Sequence, residues 1–230
     1  MNRIVLIPAN NEEGSIAKVL NDIPSDLIST VLVVNNGSTD QTKSIAMENG
    51  AIVVDEPKLG YGKACLTGLT YIYDELNPDL IIFLDGDYSD YPEDLRLLVE
   101  QIDNGYDLVL GSRTVSDDGK KGLSPTNLFG NRLAGFFLKL LFGRSFSDLG
   151  PFRAIRADKL TELQMQDENF GWTIEMQIKA IRHSLKISEV PVRYRKRYAG
   201  VSKVTGSFSG SVKAFFKISY MFIIYFLRIK

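Results

Sequence analysis

The chain has 230 residues, of which 44% are apolar and 24% are charged, so it can bury a full core without help from disulfides or metals. Its single cysteine, Cys65, excludes a disulfide framework and a thiolate zinc site, and its single histidine, His183, argues against a histidine-built metal site or a Ser-His-Asp triad. With one cysteine and one histidine, any metal must be bound through oxygen ligands. The net charge of -1 argues against nucleic-acid binding.

The charge is unevenly divided along the chain. Residues 1–152 contain 12 Lys and Arg against 22 Asp and Glu, whereas residues 153–230 contain 15 against 6. From Val190 onward there are nine basic residues and no carboxylate. This distribution predicts contact with phosphate groups or anionic lipid head groups, and the alternative is a solvated basic face.

The first half of the chain alternates short β-branched runs with helical patterns. Strands are predicted at residues 4–7, 31–34, 52–54, 80–84 and 107–110, and helices at residues 12–22, 39–49, 62–75 and from residue 92. Strands joined by helices of this length pair in parallel, with helices on both faces of the sheet, so an α/β fold is expected. In such sheets ligands bind at the carboxyl ends of the strands.

The second half is less regular. The pattern predicts a polar loop at 112–124, an apolar helix at 128–142, an irregular segment at 150–156, a helix at 174–182, a strand at 187–194, a basic Gly/Ser stretch at 195–211 and a final aromatic helix. No internal repeat and no low-complexity linker divides the sequence. We therefore expect a single domain over residues 1–230.

An acidic pair follows the fourth predicted strand. The apolar run continues directly into Asp85-Gly86-Asp87, which brings two carboxylates to the carboxyl edge of the sheet. Two like charges so close together are unfavourable without a cation, and hard oxygen ligands suit Mg²⁺ or Mn²⁺ bridging a diphosphate. The alternative is an acidic turn that caps the next helix, because Asp90 and Glu93 precede that helix.

Polar clusters also follow the first two predicted strands, at residues 8–13 and 35–40. In the second cluster Asp40 lies in the first turn of the following helix, where capping is the simpler interpretation. The segment at residues 60–63, Gly-Tyr-Gly-Lys, lacks the spacing of a P-loop or of a G-x-G-x-x-G fingerprint. This argues against a kinase-like protein or a Rossmann dehydrogenase.

Together these motifs resemble those of family 2 glycosyltransferases with the A-type fold. The order and spacing match in seven segments: Pro8…Asn11-Glu12-Glu13, Asn35-Asn36-Gly37-Ser38-Thr39-Asp40, Gly62-Lys63, Asp85-Gly86-Asp87, Gly111-Ser112-Arg113, Ser147-Asp148-Leu149…Phe152-Arg153-Ala154 and Gly200…Ser202-Lys203. The resemblance is greatest to the polyprenyl-phosphate glycosyltransferases, the group that includes the dolichol-phosphate mannose synthases. It implies the nucleotide-diphospho-sugar transferase fold, an α/β architecture whose mostly parallel central sheet is flanked by helices.

The resemblance also implies a role for each part of the domain. Residues 1–111 would form the nucleotide-sugar-binding half, residues 112–208 the acceptor half, and residues 209–230 an amphipathic C-terminal helix. The donor would be bound by Pro8, Asn11, Glu12, Asn36, Asp40, Lys63 and Asp85, and Mg²⁺ or Mn²⁺ by Asp85, Asp87 and Ser89. Phosphates of the donor and acceptor would be bound by Arg132, Arg153, Arg197, Ser202 and Lys203. The catalytic residues would be Asp87, Arg113, Asp148 and Glu175.

Two positions depart from the family pattern. The family usually has aspartate where Asn35 or Asn36 stands, which leaves the choice between a UDP- and a GDP-linked sugar open. The mannose synthase group usually has glutamine at the position of Ser89, so water or Asp90 is the alternative third metal ligand. For the same reason mannose is not specified, and the sugar is predicted only as a hexose. For Glu175 the alternative is a carboxylate on the helix surface, paired with the lysine four residues on.

The implied reaction is an inverting transfer of a hexose to polyprenyl phosphate, either dolichyl or undecaprenyl phosphate. A phosphomonoester has a second pKa of about 6 and is largely ionised at pH 7, so its attack needs no general base. With a sugar or glycan hydroxyl as acceptor, Asp148 or Glu175 would be the base. Alternatives from other classes are a sugar nucleotidyltransferase, which releases pyrophosphate, and a non-catalytic nucleotide-binding scaffold.

The most apolar segment of the chain is residues 214–227. Its length of roughly 21 Å as a helix is less than the hydrocarbon core of about 30 Å. Flanking basic residues, with Tyr220 and Tyr225, are typical of an interfacial helix that attaches a protein peripherally to the cytoplasmic face of a membrane. The alternative is a helix packed into the domain or into a homodimer.

Residues 1–8 lack the pattern of a secretory signal, so a cytoplasmic location is expected.

Overall fold

The computed structural model describes residues 1–200 and 224–225, and these residues form one seven-stranded sheet with helices on both faces. The strands are β1 (Arg3–Ala9), β2 (Thr30–Asn35), β3 (Ile52–Asp55), β4 (Leu80–Phe83), β5 (Leu108–Ser112), β6 (Arg153–Arg156) and β7 (Ile187–Pro191). Their order across the sheet is β3-β2-β1-β4-β6-β5-β7. All neighbouring strands pair in parallel except β6, which is antiparallel to both of its neighbours. The expected α/β fold with a mostly parallel sheet is confirmed.

The helices of the described residues are α1 (Ile16–Asp22), α2 (Thr42–Glu48), α3 (Tyr61–Glu75), α4 (Leu95–Asp103), α5 (Asp117–Lys120), α6 (Pro125–Phe142), α7 (Ala157–Leu163) and α8 (Trp172–Arg182). A short 3-10 turn, Pro92–Asp94, precedes α4. Helices α1 and α2 begin four and three residues later than predicted, because the polar residues ahead of them form turns; Asn11, with φ of 53°, lies in the left-handed region.

The segment at 150–156, expected to be irregular, contains β6, and α7 follows β6 directly. β6 lies between β4 and β5 and is antiparallel to both, so the strand that was not predicted is also the one that makes the sheet mostly rather than wholly parallel. Its sequence has arginine at both ends, Arg153 and Arg156, while the two middle side chains, Ala154 and Ile155, are buried. Such a short segment carries no periodic signal.

The core forms two layers, one on each face of the sheet. In β1, Ile4 and Leu6 pack in the layer that includes α3, α7 and α8, whereas Val5 and Ile7 pack in the layer that includes α1 and α4. Because both faces are covered, the central strands are continuous apolar runs and their polar residues are confined to the ends. The carboxyl ends of β1, β2 and β4 therefore meet at one polar edge.

Gly62 lets the beginning of α3 lie against the loop between α7 and α8. A Cβ atom at this position would lie 1.9 Å from the carbonyl oxygen of Asp167. The backbone N–H of Lys63 donates to the carbonyl of Glu168 at 2.8 Å, and the N–H of Gly62 donates to the carbonyl of Asn169 at 3.3 Å. This close contact joins the two halves of the domain beside the polar edge.

Candidate active site

The structure places Asp85 and Asp87 at the carboxyl end of β4, at the edge predicted from the sequence. The Oδ1 atom of Asp85 is buried and has no hydrogen-bond partner among the described residues. Burial, followed by the charge of Asp87, raises the pKa of Asp85 to about 7. A buried carboxylate oxygen without a donor is available as a ligand for a hard cation.

The carboxylate of Asp87 is bound by protein groups on both sides. Its Oδ1 accepts hydrogen bonds from the backbone N–H of Ser89 at 2.9 Å and from the Ser89 hydroxyl. Its Oδ2 lies 3.0 Å from Nη2 of Arg197, whose Nη1 lies 2.6 Å from Oε1 of Glu12. The guanidinium of Arg197 therefore links the polar residues that follow β1 to those that follow β4.

The residues at this edge fit a cation shared between protein and diphosphate. Within residues 1–200 and 224–225, no group of three or more His, Cys, Asp or Glu side chains is arranged to hold a metal ion. Mg²⁺ commonly takes only one or two carboxylates and completes its shell with water and substrate phosphates. Ser89, expected as a third ligand, donates its hydroxyl to Asp87 and is 2% exposed, so it orients that carboxylate instead.

Arg113 and Asp148 form a buried ion pair beyond the end of β5. Nε and Nη2 of Arg113 lie 2.7 and 2.8 Å from the two carboxylate oxygens, and Nδ2 of Asn131 donates to the same carboxylate at 2.7 Å. Burial opposes the ionisation of Asp148, but the guanidinium outweighs it and holds the pKa of Asp148 below its usual value. Asp148 is therefore unsuited to be a general base, which corrects that expectation; it fixes the orientation of Arg113.

Asp90, predicted above as an alternative third metal ligand, is buried without a hydrogen-bonding group opposite its carboxylate among the described residues. It is 2% exposed, and neither of its carboxylate oxygens has a hydrogen-bond partner among the described residues. Burial, followed by the charge of Asp85, raises the pKa of Asp90 well above its usual value, against the opposing effect of Arg113. Its backbone pairs with Tyr194. Its role as a metal ligand stays a prediction.

With this geometry in view, comparison with known proteins identifies the family. The sequence model of the family described as Glycosyl transferase family 2 matches residues 4–163. The chain belongs to glycosyltransferase family 2. The matched region runs from β1 to α7 and includes the acidic pair and the Arg113–Asp148 ion pair.

Two relatives and one solved structure illustrate the similarity. An uncharacterized glycosyltransferase of Mycobacterium tuberculosis is 34% identical over 212 residues, which are 91% of this chain and 93% of the relative. The dolichyl-phosphate hexose transferase of Haloferax volcanii is 33% identical over 205 residues, which are 87% of this chain and 85% of the relative. A crystal structure of glucosyl-3-phosphoglycerate synthase from Mycobacterium tuberculosis, in complex with Mn²⁺, UDP and glucosyl-3-phosphoglycerate, superposes with a TM-score of 0.72 at 21% identity and covers 99% of this chain and 79% of that one.

In this glycosyltransferase, two residues expected to bind the donor connect the loops at the polar edge. Oδ1 of Asn11 accepts a hydrogen bond from the backbone N–H of Thr39 at 2.8 Å. The carboxylate of Asp40 accepts from the backbone N–H groups of Thr42 and Glu13 at 3.0 and 3.2 Å. Asp40 therefore stabilises the turn before α2 and joins it to the residues that follow β1, and its contact with the donor stays a prediction.

Asn36 shapes the loop that leads into α3. It is 6% exposed, its amide donates to the carbonyl of Glu56 at 3.0 Å, and its Oδ1 accepts from the N–H of Gly60 at 2.9 Å. Asn36 therefore fixes the conformation of this loop, and its contact with the donor stays a prediction. Nζ of Lys63 lies 3.7 Å from Oε2 of Glu56, and Pro8, near the end of β1, is partly buried; their contacts with the donor stay predictions.

Arg153, expected to bind phosphate, is fully buried in the glycosyltransferase. Its guanidinium donates to the carbonyl oxygens of Gly150, Pro151 and Thr173, the last at 3.0 Å. Burial lowers the pKa of Arg153 to about 10, which leaves it charged at neutral pH. Since its donors are used on backbone carbonyls inside the protein, the expectation is corrected: Arg153 holds the segment before β6 against α8.

Glu175, expected to be catalytic, is also fully buried. Its carboxylate accepts hydrogen bonds from the N–H groups of Gln166 and Asp167 at 3.0 and 2.7 Å and from the hydroxyl of Tyr225 at 2.8 Å, and Nζ of Lys179 lies 2.7 Å away. The pairing with Lys179 is the one considered from the sequence, but inside the protein rather than on its surface. These four contacts assign Glu175 to positioning the loop that packs on α3.

The remaining expectations concern residues near or beyond the described part of the glycosyltransferase. Arg132 is exposed on α6, next to Asn131. Ser202, Lys203 and most of the helix expected at 209–230 lie outside the described residues. Tyr225 is 7% exposed and packs on α8, so this side chain does not project toward a membrane interface as expected. Among the described residues, no helix is both long and apolar enough to cross a bilayer.

Proposed function

We propose that this glycosyltransferase transfers a hexose, with inversion, from a UDP- or GDP-linked sugar to polyprenyl phosphate. The observation that carries the proposal is the cluster in which Asp85, with its unpartnered Oδ1, lies with Asp87 close to two guanidinium groups, those of Arg113 and Arg197. Carboxylates for a cation and guanidinium groups for phosphates are the combination that a nucleoside diphosphate sugar and a phosphate acceptor require. The name of the Haloferax volcanii relative, dolichyl-phosphate hexose transferase, supports the acceptor class.

Asp85 and Asp87 would hold the divalent cation, Mg²⁺ or Mn²⁺. When bound, the cation neutralises the diphosphate and so stabilises it as a leaving group. Asp85 contributes the oxygen that has no donor among the described residues, and Ser89 keeps Asp87 oriented. The fold shared with a synthase whose structure contains Mn²⁺ and UDP supports this assignment.

The two arginines have different tasks. Arg113 is fixed by its bidentate ion pair with Asp148 and presents a preorganised guanidinium to phosphate oxygens. Arg197 instead exchanges partners: it leaves Glu12 and Asp87 for phosphate oxygens when the substrates bind, because a phosphate offers it the same bidentate acceptors. This exchange frees Asp87 for its role as a ligand.

The absence of a suitable base among the expected residues favours a phosphate acceptor. Asp148 is paired with Arg113, and Glu175 is buried with four partners. An ionised phosphate oxygen attacks the anomeric carbon without giving up a proton. One observation favours the second candidate, a hydroxyl acceptor. The carboxylate of Asp90 has no hydrogen-bond partner in the described part of the chain, and its pKa is raised, as for a group able to accept a proton.

Acceptor trials test the proposal. Purified protein with Mn²⁺ and labelled UDP- or GDP-hexoses is offered a short-chain polyprenyl phosphate, the matching polyprenol, or free sugars. Transfer to the phosphate alone is expected, with product of inverted anomeric configuration. Asp87→Asn should abolish transfer, and Glu93→Gln, which removes the same charge from an exposed residue of the same segment, should not.

Other outcomes would replace the proposal. Transfer to hydroxyl acceptors alone, lost in Asp90→Asn, would establish the second candidate. Release of pyrophosphate would indicate a nucleotidyltransferase. No thermal stabilisation by any nucleotide sugar, and no transfer, would leave a scaffold without catalytic function.

A polyprenyl phosphate acceptor resides in a membrane, so we also propose peripheral attachment at the cytoplasmic face through residues 209–230. The nine basic residues after Val190, without a carboxylate, support contact with anionic head groups. Homodimerisation through the same apolar segment is the alternative. Vesicle binding by variants of this segment, with the oligomeric state measured in parallel, separates the two.

A further inference from the structure

One side of α6 exposes large apolar side chains. Phe129, Phe136 and Leu140 are 67%, 60% and 64% exposed. Their spacing of seven and four residues places them within about 40° of one another around the helix axis. The opposite side of the helix is buried and consists of Asn131, Ala134, Gly135 and Leu138. A contiguous apolar stripe of this size indicates a surface that contacts something other than water.

The two charged residues that α6 places beside this stripe are both positive. Arg132 and Lys139 are the charged residues of α6; both are exposed, and they lie on the same flank of the stripe. No Asp or Glu occurs between Asp118 and Asp148. Phenylalanine and leucine on one face with Lys and Arg beside them are typical of helices that lie in the interface of an anionic bilayer. A protein partner with an apolar patch would not by itself require this one-sided charge.

The stripe lies close to the candidate active site. Asn131, on the buried side of α6, donates to Asp148 at 2.7 Å, and Asp148 holds Arg113. The outer face of the helix is therefore separated from the Arg113 ion pair by about one helix diameter, roughly 10 Å. A membrane contact at α6 would bring the site to the level of lipid head groups.

We propose that Phe129, Arg132, Phe136, Lys139 and Leu140, here called the α6 face, dock on the surface of an anionic lipid bilayer. The helix lies parallel to the bilayer, the three apolar side chains enter the head-group region, and the two basic side chains contact lipid phosphates. The α6 face is distinct from residues 209–230, and its docking does not depend on which acceptor the enzyme uses.

Co-sedimentation of the full chain with vesicles tests the proposal, using phosphatidylcholine alone and an equal mixture with phosphatidylglycerol. The wild type should bind the anionic vesicles more tightly. F129S/F136S/L140S should bind them at least about tenfold more weakly. M47S/L59S/L97S, which removes three apolar side chains exposed by 57%, 66% and 39% elsewhere, should bind like the wild type. K139Q should bind anionic vesicles about fivefold more weakly and neutral ones equally.

Several outcomes would overturn the proposal. Unchanged vesicle binding by the α6 triple variant is one, and loss of binding only when Phe222 and Phe226 are replaced is another. The wild type could also prove to be a dimer. If the triple variant is then a monomer and its vesicle binding is unchanged, the α6 face binds a second copy of the chain. K139Q keeps the test decisive if the triple variant misfolds by circular dichroism. Sugar transfer to a detergent-solubilised acceptor is a separate readout, so failure of docking is distinguishable from failure of the proposed reaction.

Discussion

Arg197 occupies the acidic edge where a cation is proposed to bind, so Arg197→Gln should strengthen cation binding while it weakens catalysis. Nη1 and Nη2 of Arg197 lie 2.6 and 3.0 Å from Glu12 and Asp87, and its side chain is 21% exposed. Charge-assisted hydrogen bonds of this kind contribute about 1.5–3 kcal/mol. A cation that uses the same carboxylate has to displace this interaction, and each 1.4 kcal/mol corresponds to about tenfold in Kd. In the absence of donor, R197Q should therefore bind Mn²⁺ about tenfold to a hundredfold more tightly.

The assay is a titration of Mn²⁺ at pH 8, with free ion measured by electron paramagnetic resonance. R96Q is the matched control, because it removes the same charge from an exposed ion pair with Asp26. In the presence of donor, R197Q should show a lower kcat, since the substrate phosphates lose a guanidinium partner, whereas R96Q should not. Mn²⁺ affinity in R197Q equal to or below that of R96Q would refute the reasoning that the arginine competes with the cation.

Three further results are expected. The Mn²⁺ affinity of the wild type should rise about tenfold per pH unit from pH 5 to 7 and level off above pH 7. The reason is that a proton on Asp85, with a pKa of about 7, has to leave before the metal binds. Isothermal titration calorimetry at several pH values checks this, and an affinity that does not change with pH would contradict it. Gly62→Ala should lower the free energy of unfolding by about 2 kcal/mol or more in urea titrations, because its Cβ would lie 1.9 Å from a backbone carbonyl oxygen. Gly130→Ala is the control and should be neutral or stabilising, because a Cβ there would meet nothing within 4 Å. Equal effects of the two substitutions would show that the close approach at Gly62 is unimportant. Asp148→Asn should destabilise the protein by about 3–5 kcal/mol, because it leaves the guanidinium of Arg113 buried without a counter-charge. A decrease of less than about 1 kcal/mol in the free energy of unfolding, measured by the same urea titration, would mean that solvent reaches the arginine.

The part of the fold that could be predicted from the sequence is the part whose signals are local. β1 and β4 are uninterrupted apolar runs because both faces of the sheet are covered, and the helices between them begin after polar turns. β6 has no such signal, since its apolar residues are only Ala154 and Ile155, between two arginines, and its place between β4 and β5 is decided by tertiary contacts. Its antiparallel direction could not be inferred from four residues.

The candidate site shows the same limit in another form. The position of Asp85 and Asp87 follows from the rule that ligand residues lie at the carboxyl ends of strands. What a charged side chain contacts does not follow from a motif, because the partner is distant in the sequence: Asp148 binds a guanidinium 35 residues away. Arg153 and Glu175 match positions of the family motifs, but both side chains are buried and contact other protein groups. Burial cannot be read from a motif, so the roles that the resemblance implies for them could not be judged from the sequence.

The hydroxyl of Tyr225 donates to the buried carboxylate of Glu175, 50 residues earlier in the chain, and is one of the four contacts of that carboxylate among the described residues. That carboxylate orients the loop whose carbonyl at Glu168 receives the N–H of Lys63 at the start of α3. Loss of the Tyr225 side chain would therefore disturb the packing of this loop against the start of α3, at a distance from Tyr225 itself.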